Sequence, residues 1–234
     1  PQAMTRRMLG AGAWVLGARG RPRRPDDRIL AINNEWAIRD DWDDMIHPWD
    51  FPDDRRPTPN AHQRLITQEA FVPAQNAHGG FVYAGGTMAF TAAYWALSAL
   101  KPHVIAIYGC DMHYPAIGPT HFYGIGTPDP LRADITLRSL EGKSARLMIL
   151  AAQQGCAMVN LSDGPSRLVF PRATAKTLPN GPAPYNLTLA TQALQIERDL
   201  DYTVPSGRYW EEANRFAAAR IDALDALWLA AAQP

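Results

Sequence analysis

An α/β fold built on an open, mostly parallel sheet with flanking helices follows from three observations. In the stretch from Gly85 to Gly124 a glycine turn, an apolar helix, a continuous β-prone run and a polar loop succeed one another without a break. The same order of helix, strand and polar terminus recurs from Ser144 to Ser166, which is the alternation that a parallel sheet with right-handed crossovers requires. The third observation is composition: 234 residues, 47% of them hydrophobic and seven of them Trp, supply one good core and exclude a disordered chain.

From the amino end, Ala13-Trp14-Val15-Leu16 reads as the first strand, and Gly17-Ala18-Arg19-Gly20 as a turn whose backbone can approach a phosphate. Arg21 to Arg28 is a proline-broken connection without room for a helix. Ile29 to Ile32 resumes as a strand ending at Asn33-Asn34, where Asn33 is either a ligand contact or a turn residue bonding its own backbone. Asp40, Asp41, Asp43 and Asp44 resemble a metal cluster, but such runs are more often a solvated loop, and no second cluster at ligand spacing supports a metal. Met45-Ile46 leads into the polar and aromatic segment His47-Pro48-Trp49-Asp50-Phe51. Pro52 to Pro59 is surface loop, and Ala61 to His78 holds a short strand and helix.

Thr87 to Leu100 leaves no polar face and predicts a buried helix, ended by Lys101-Pro102. Val104 to Tyr108 is apolar at consecutive positions, as a central parallel strand buried on both faces must be. Its carboxyl end changes abruptly to Gly109-Cys110-Asp111, then His113, Tyr114, Thr120, His121 and Tyr123, and ligands of open α/β sheets bind at such strand ends. Met112 to Leu131, rich in glycine and proline and without periodicity, predicts a lid. Ser144 to Gln154 is a helix stopped by Gly155, and Cys156 to Asn160 a strand with its own polar terminus through Ser162. After Arg172 a Pro/Asn/Gly linker leads to two helices. The second starts at Ser206 as N-cap, with a stripe through Trp210, Phe216, Ile221, Leu224 and Trp228 that packs on the domain or on a second subunit, giving a homo-oligomer.

Twenty-three basic residues balance twenty-three acidic ones, so no net charge draws the chain to nucleic acid or an anionic membrane, and any anion site is local. Cys110 and Cys156 fall in or beside core strands, the ordinary place of a reduced buried thiol. No apolar run reaches the ~18 residues of a membrane span. Thr5-Arg6-Arg7-Met8-Leu9 superficially resembles a twin-arginine export signal, but the apolar run behind it is short, and a cytoplasmic location is expected.

Three motifs carry a family resemblance: Gly85-Gly86-Thr87 before the helix, Gly109-Cys110-Asp111-Met112 at the strand end, and His121-Phe122-Tyr123-Gly124 in the loop. They are similar to those of the bacterial sialyltransferase family with a single Rossmann-like domain, and of the related prophage and MptE-like (hydroxymethylpterin diphosphokinase-like) proteins. The resemblance implies a Rossmann-like domain over residues 1–172, with residues 173–234 as linker and helices packed on it. It further implies transfer of a sialic-acid-like sugar from a nucleotide sugar, CMP-linked, to the hydroxyl of a glycan acceptor, with no metal or other cofactor. His121 is then the candidate base, Gly17, Gly20, Asn33, Gly85, Gly86, Thr87, Asp111, His113, Tyr114, Tyr123, Asn160 and Ser162 bind nucleotide or substrate, and His47 to Phe51 lines the pocket. Ala18-Arg19 and Ile125-Gly126 depart from the pattern, standing where the family has an asparagine and a second histidine. The alternatives within the resemblance are an MptE-like nucleotide-binding diphosphokinase and a prophage-type binding protein without catalysis.

Overall fold

The computed structural model describes residues 5–9, 13–114, 121, 123 and 129–233. Among these, the strands are β1 (Thr5–Leu9), β2 (Asp27–Ile32), β3 (Asp44–Ile46), β4 (Arg64–Ile66), β5 (Val104–Tyr108) and β6 (Ala157–Asn160). They form one sheet in the order β4-β3-β2-β1-β5-β6, and every pairing is parallel. The α-helices are α1 (Gln68–Asn76), α2 (Phe81–Ala84), α3 (Met88–Leu100), α4 (Leu140–Gln153), α5 (Leu187–Leu200) and α6 (Ala218–Ala231).

The strand order means that the chain steps outward from β1 to β4 and then returns past β1 to β5 and β6. With right-handed crossovers, the outward and returning connections lie on opposite faces of the sheet. Side chains divide accordingly. Leu30, Ile32, Ile46, Ile105, Ile107 and Met158 enter the core shared with the α-helices, whereas Ile29, Ala31, Met45, Val104, Ala106 and Val159 belong to a second layer. That second layer is roofed by 3₁₀ segments, Ala13–Ala18 and Asn33–Ile38, together with Trp42 and Phe51. Prolines at 22 and 25 deny the first of these crossovers an α-helix.

The first strand is Thr5–Leu9, not Ala13–Leu16, where the chain instead makes a 3₁₀ segment. Residues 5–9 ladder on both sides, Met8 standing opposite Leu30 and Ile107, and this two-sided pairing outweighs the greater local hydropathy of the later segment. The stretch that resembles an export signal is therefore an interior strand of the sheet, paired on both sides.

The buried helix and central strand lie where the sequence predicts them. Thr87 caps α3 by accepting a hydrogen bond from the Phe90 amide at 3.3 Å, and Lys101 ends it in the left-handed region at φ 44° before Pro102. β5 lies between β1 and β6, and Ile105 and Ala106 are fully buried. Helix α4 begins one turn earlier than expected, with Ser139 as its cap.

Helices α5 and α6 pack on α4 around buried charge. Arg146 of α4 donates to both carboxylate oxygens of Glu197 of α5 at 2.7 and 2.9 Å and to the Tyr94 hydroxyl at 2.8 Å, and Trp228 of α6 donates to Glu197 at 2.9 Å. Lys143 pairs with Asp225 at 3.0 Å. Gly142 allows this approach of α4 to α6, since a Cβ there would stand 2.8 Å from the Asp225 carbonyl oxygen. The final helix does not start at Ser206. Tyr209–Arg215 is a 3₁₀ segment, Phe216 and Ala217 are extended, and α6 begins at Ala218, so Ile221, Leu224 and Trp228 face the domain while Trp210 does not. Both cysteines are free and buried, and no helix among the described residues is long and apolar enough to cross a membrane.

Of the four clustered carboxylates, Asp41 pairs with Arg39, Asp43 with Arg23, and Asp44 with both Arg28 and Arg64. Among the described residues no group of His, Cys, Asp and Glu is placed to hold a metal ion.

Candidate functional site

Because all strands are parallel, their carboxyl ends share one edge, and the strand order reverses between β1 and β5. Crevices at such a reversal are where open sheets bind ligands. Asn33 leaves β2 with φ 54°, a conformation Asn tolerates, and its Oδ1 is buried with no hydrogen-bond partner among the described residues. Two residues on, Glu35 is fully buried, and neither carboxylate oxygen meets another residue's donor among the described residues. Burial pushes its carboxyl well above the ordinary 4.5, with only its own backbone amide opposing the shift.

At the ends of β5 and β6 the expected residues meet. Asn160 donates to Asp111 Oδ1 at 2.9 Å and to Ser166 at 3.0 Å, and its own side-chain oxygen accepts from the Ser162 amide at 2.9 Å. The Ser162 hydroxyl accepts from the Gly109 amide at 3.1 Å. Asp111 is 2% exposed, and its Oδ2 has no partner among the described residues. Arg172 fixes the loop beyond β6 by donating to the carbonyls of Ser162 and Gly164.

Tyr114, His121 and Tyr123 form a ring cluster, with His121 5.6 Å from Tyr114 and 5.0 Å from Tyr123 between centroids. Burial lowers the His121 pKa below 6.5, so its imidazole is neutral at neutral pH. Burial raises both tyrosines, and Glu35 lies within electrostatic reach of each and of the Cys110 thiol.

A cleft of about 690 Å³ opens beside Asn33, walled by Trp49, Gly86, Arg132, Tyr209 and Trp210. Arg132 holds it together, donating to the Gly86 carbonyl at 2.9 Å and pairing with Asp129 at 2.5 Å and Asp134 at 2.9 Å. Asp134 accepts from the Tyr209 hydroxyl at 2.6 Å and from Thr136 at 2.7 Å, bonds that hold its carboxyl below the usual range against the opposing effect of burial. Burial, then the neighbouring Asp134, push Tyr209 up to about 12. A Cβ on Gly86 would overlap the Tyr209 hydroxyl, so glycine is what lets this wall close.

Placement of the remaining expected residues is mixed. Pro48, Trp49 and Asp50 wall the cleft as the sequence suggests, whereas His47 is buried against Phe51. Gly17 packs under Tyr108, over which the Arg21 guanidinium sits at 4.7 Å, while Gly20 is exposed with open space around it. Gly85 takes φ 90° over the Phe90 ring, and the Thr87 oxygen is engaged as a helix cap. His113 is exposed. Most of the expected lid, including Ile125 and Gly126, lies outside the described residues.

Sequence reasoning missed Glu35, Arg132 and Tyr209, and read Trp210 as a packing residue. The available signals were a lone carboxylate in Asn34-Glu35-Trp36-Ala37-Ile38 immediately after a strand, and an arginine set between Asp129 and Asp134. No family model, curated protein or solved structure matches the chain, so its functional reading stands on these residues.

Proposed function

We propose that the chain is a Rossmann-like glycosyltransferase, moving a sialic-acid-like sugar from a CMP-linked donor to an acceptor hydroxyl, the activity its motifs resemble. The Rossmann-like description is supported by the reversal of strand order between β1 and β5. The observation that carries the functional reading is a pair of buried side-chain acceptors without a hydrogen-bond partner among the described residues, Asn33 Oδ1 beyond β2 and Asp111 Oδ2 beyond β5, the two strands on either side of β1. A buried acceptor without a partner costs about 1–3 kcal/mol, and a ligand bearing hydroxyl or amino donors, such as a ribose and a nucleobase, relieves it.

In this reading the bond from the sugar to the phosphate breaks through an oxocarbenium-like state as the acceptor oxygen attacks. The neutral His121 takes the acceptor's proton, and the Tyr114 and Tyr123 hydroxyls donate to the departing phosphate, so the proposed reaction assigns no role to a metal.

The test is a thermal-shift panel of nucleoside monophosphates and diphosphates, followed by measurement of CMP release from a CMP-sugar with an acceptor present. A ligand at one hundred times its Kd adds about 2.7 kcal/mol of stability. CMP should stabilise most, and its release should need His121. Stabilisation without release would leave the prophage-type binding alternative, diphosphate transfer would favour the diphosphokinase alternative, and no stabilisation by any nucleotide would overturn the reading.

A further inference from the structure

We propose that the cleft walled by Trp49 and Trp210 is a binding subsite for a neutral oligosaccharide. Five rings run through its lining in unbroken contact: Phe71 to Phe81 at 6.4 Å, Phe81 to Tyr209 at 6.2 Å, Tyr209 to Trp210 at 5.4 Å, and Trp210 to Trp49 at 5.1 Å. At the mouth, Trp49 and Trp210 remain 44% and 49% exposed, although Tyr209 in the middle of the row and Phe71 at its far end are buried. Two adjacent half-exposed indoles at the rim of a cleft of ligand size mark a recognition surface.

The charge of the lining selects the ligand class. Asp50, Asp129 and Asp134 contribute −3 and Arg132 contributes +1, a formal −2, and Arg132 is already paired with two of the carboxylates. An anion such as a phosphate is therefore disfavoured by the lining, whose own guanidinium, Arg132, is already engaged. A cation meets the opposite obstacle, since the Arg208 guanidinium already lies over the Trp49 ring at 5.5 Å. What remains is an uncharged ligand with an apolar face for the Trp210 indole and several hydroxyl donors for the carboxylates, the Ser206 side chain and the Asn33 acceptor, which describes a sugar chain.

Asn33 lies in both the cleft and the strand-end site, so the subsite extends from where the donor is proposed to bind. Calling its occupant the glycosyl acceptor relies on the transfer reading; the binding of sugar does not. The experiment titrates the full chain, with no nucleotide present, with neutral trisaccharides of α- and β-linked glucose, galactose and N-acetylglucosamine, using tryptophan fluorescence and saturation-transfer NMR. Choline serves as a cationic probe and CMP as an anionic one. The same titrations are run on Trp210→Ala and on Trp49→Ala, both at exposed positions, with melting curves confirming that each variant is folded.

At least one trisaccharide should bind and perturb tryptophan emission, and Trp210→Ala should weaken it about tenfold or more while leaving any CMP affinity unchanged. Preference for choline over every sugar, absence of sugar binding, or sugar binding undiminished in both folded variants would each overturn the proposal. Sugar binding by a protein that ignores CMP would retain the subsite and remove the transfer reading.

Discussion

Replacing Glu35 with Gln should make the protein more stable, and by an amount that grows with pH. Glu35 is fully buried in the 3₁₀ segment after β2, without a cation or a side-chain donor on either oxygen among the described residues. Desolvation holds its folded-state pKa well above the 4.5 of an ordinary glutamate. Between those two values the folded chain keeps the proton and the unfolded chain has released it, so unfolding free energy falls as pH rises. The slope is about 1.4 kcal/mol per pH unit while pH lies between the unfolded and folded values. The stabilising contribution is complete below pH 4.5 and is lost as pH climbs through the folded value. Gln keeps the shape and carries no titrating proton, which removes this slope. Other carboxylates titrate in both proteins, including Asp41 and Glu141, whose arginine partners lower them, and they cancel in the difference. Urea unfolding of both proteins from pH 5 to pH 8 gives that difference directly. A constant difference across this range would refute the protonated, unpartnered carboxyl inferred for Glu35.

Other consequences follow from the same geometry. Glu197→Ala strands the Arg146 guanidinium in the core and removes the Trp228 acceptor, so it should cost about 3–5 kcal/mol by denaturant unfolding; a loss under 1 kcal/mol would mean that this buried pair does not secure α5 and α6. Gly142→Ala sets a methyl 2.8 Å from the Asp225 carbonyl oxygen and should cost about 1–3 kcal/mol through forced separation of α4 and α6, and an unchanged melting temperature would contradict that contact. His121→Ala should lower transfer by about 10²- to 10⁴-fold with nucleotide affinity retained, whereas joint loss of affinity and stability would make His121 a scaffold residue. Because burial lowers the His121 pKa, the acid limb of kcat/KM should fall below pH 6.5, and a limb above that value would assign the base elsewhere.

Much of the sheet was legible because burial on both faces leaves a strong mark. Val104 to Tyr108 is apolar at every position, and Thr87 to Leu100 has no polar face, so β5 and α3 declare themselves. β1 does not, since Thr5-Arg6-Arg7-Met8-Leu9 is defined by ladders with β2 and β5 that no local pattern reveals. The break between Tyr209–Arg215 and α6 carries no glycine or proline, which is why the helical stripe reads as continuous from Ser206. The site was half legible for a related reason. Asn33, Asp111, Asn160 and Ser162 follow strands and could be read as strand termini, but the cleft wall at Arg132, Tyr209 and Trp210 forms only when the carboxyl-terminal segment folds back over Gly86. Glu35 shows in the sequence only as a lone carboxylate after a strand, and nothing in its neighbours' identity distinguishes a buried glutamate there from an exposed one in a turn.

The transfer reading meets its most direct test in amide chemical-shift mapping of the full chain with CMP. Perturbations concentrated at residues 33–35, 109–114 and 160–162, weakened by Asn33→Ala and by Asp111→Asn, are the predicted result. Shifts confined to the separate cavity around Arg146 and Glu197, or none at saturating CMP, would contradict a nucleotide site at the carboxyl edge of the sheet.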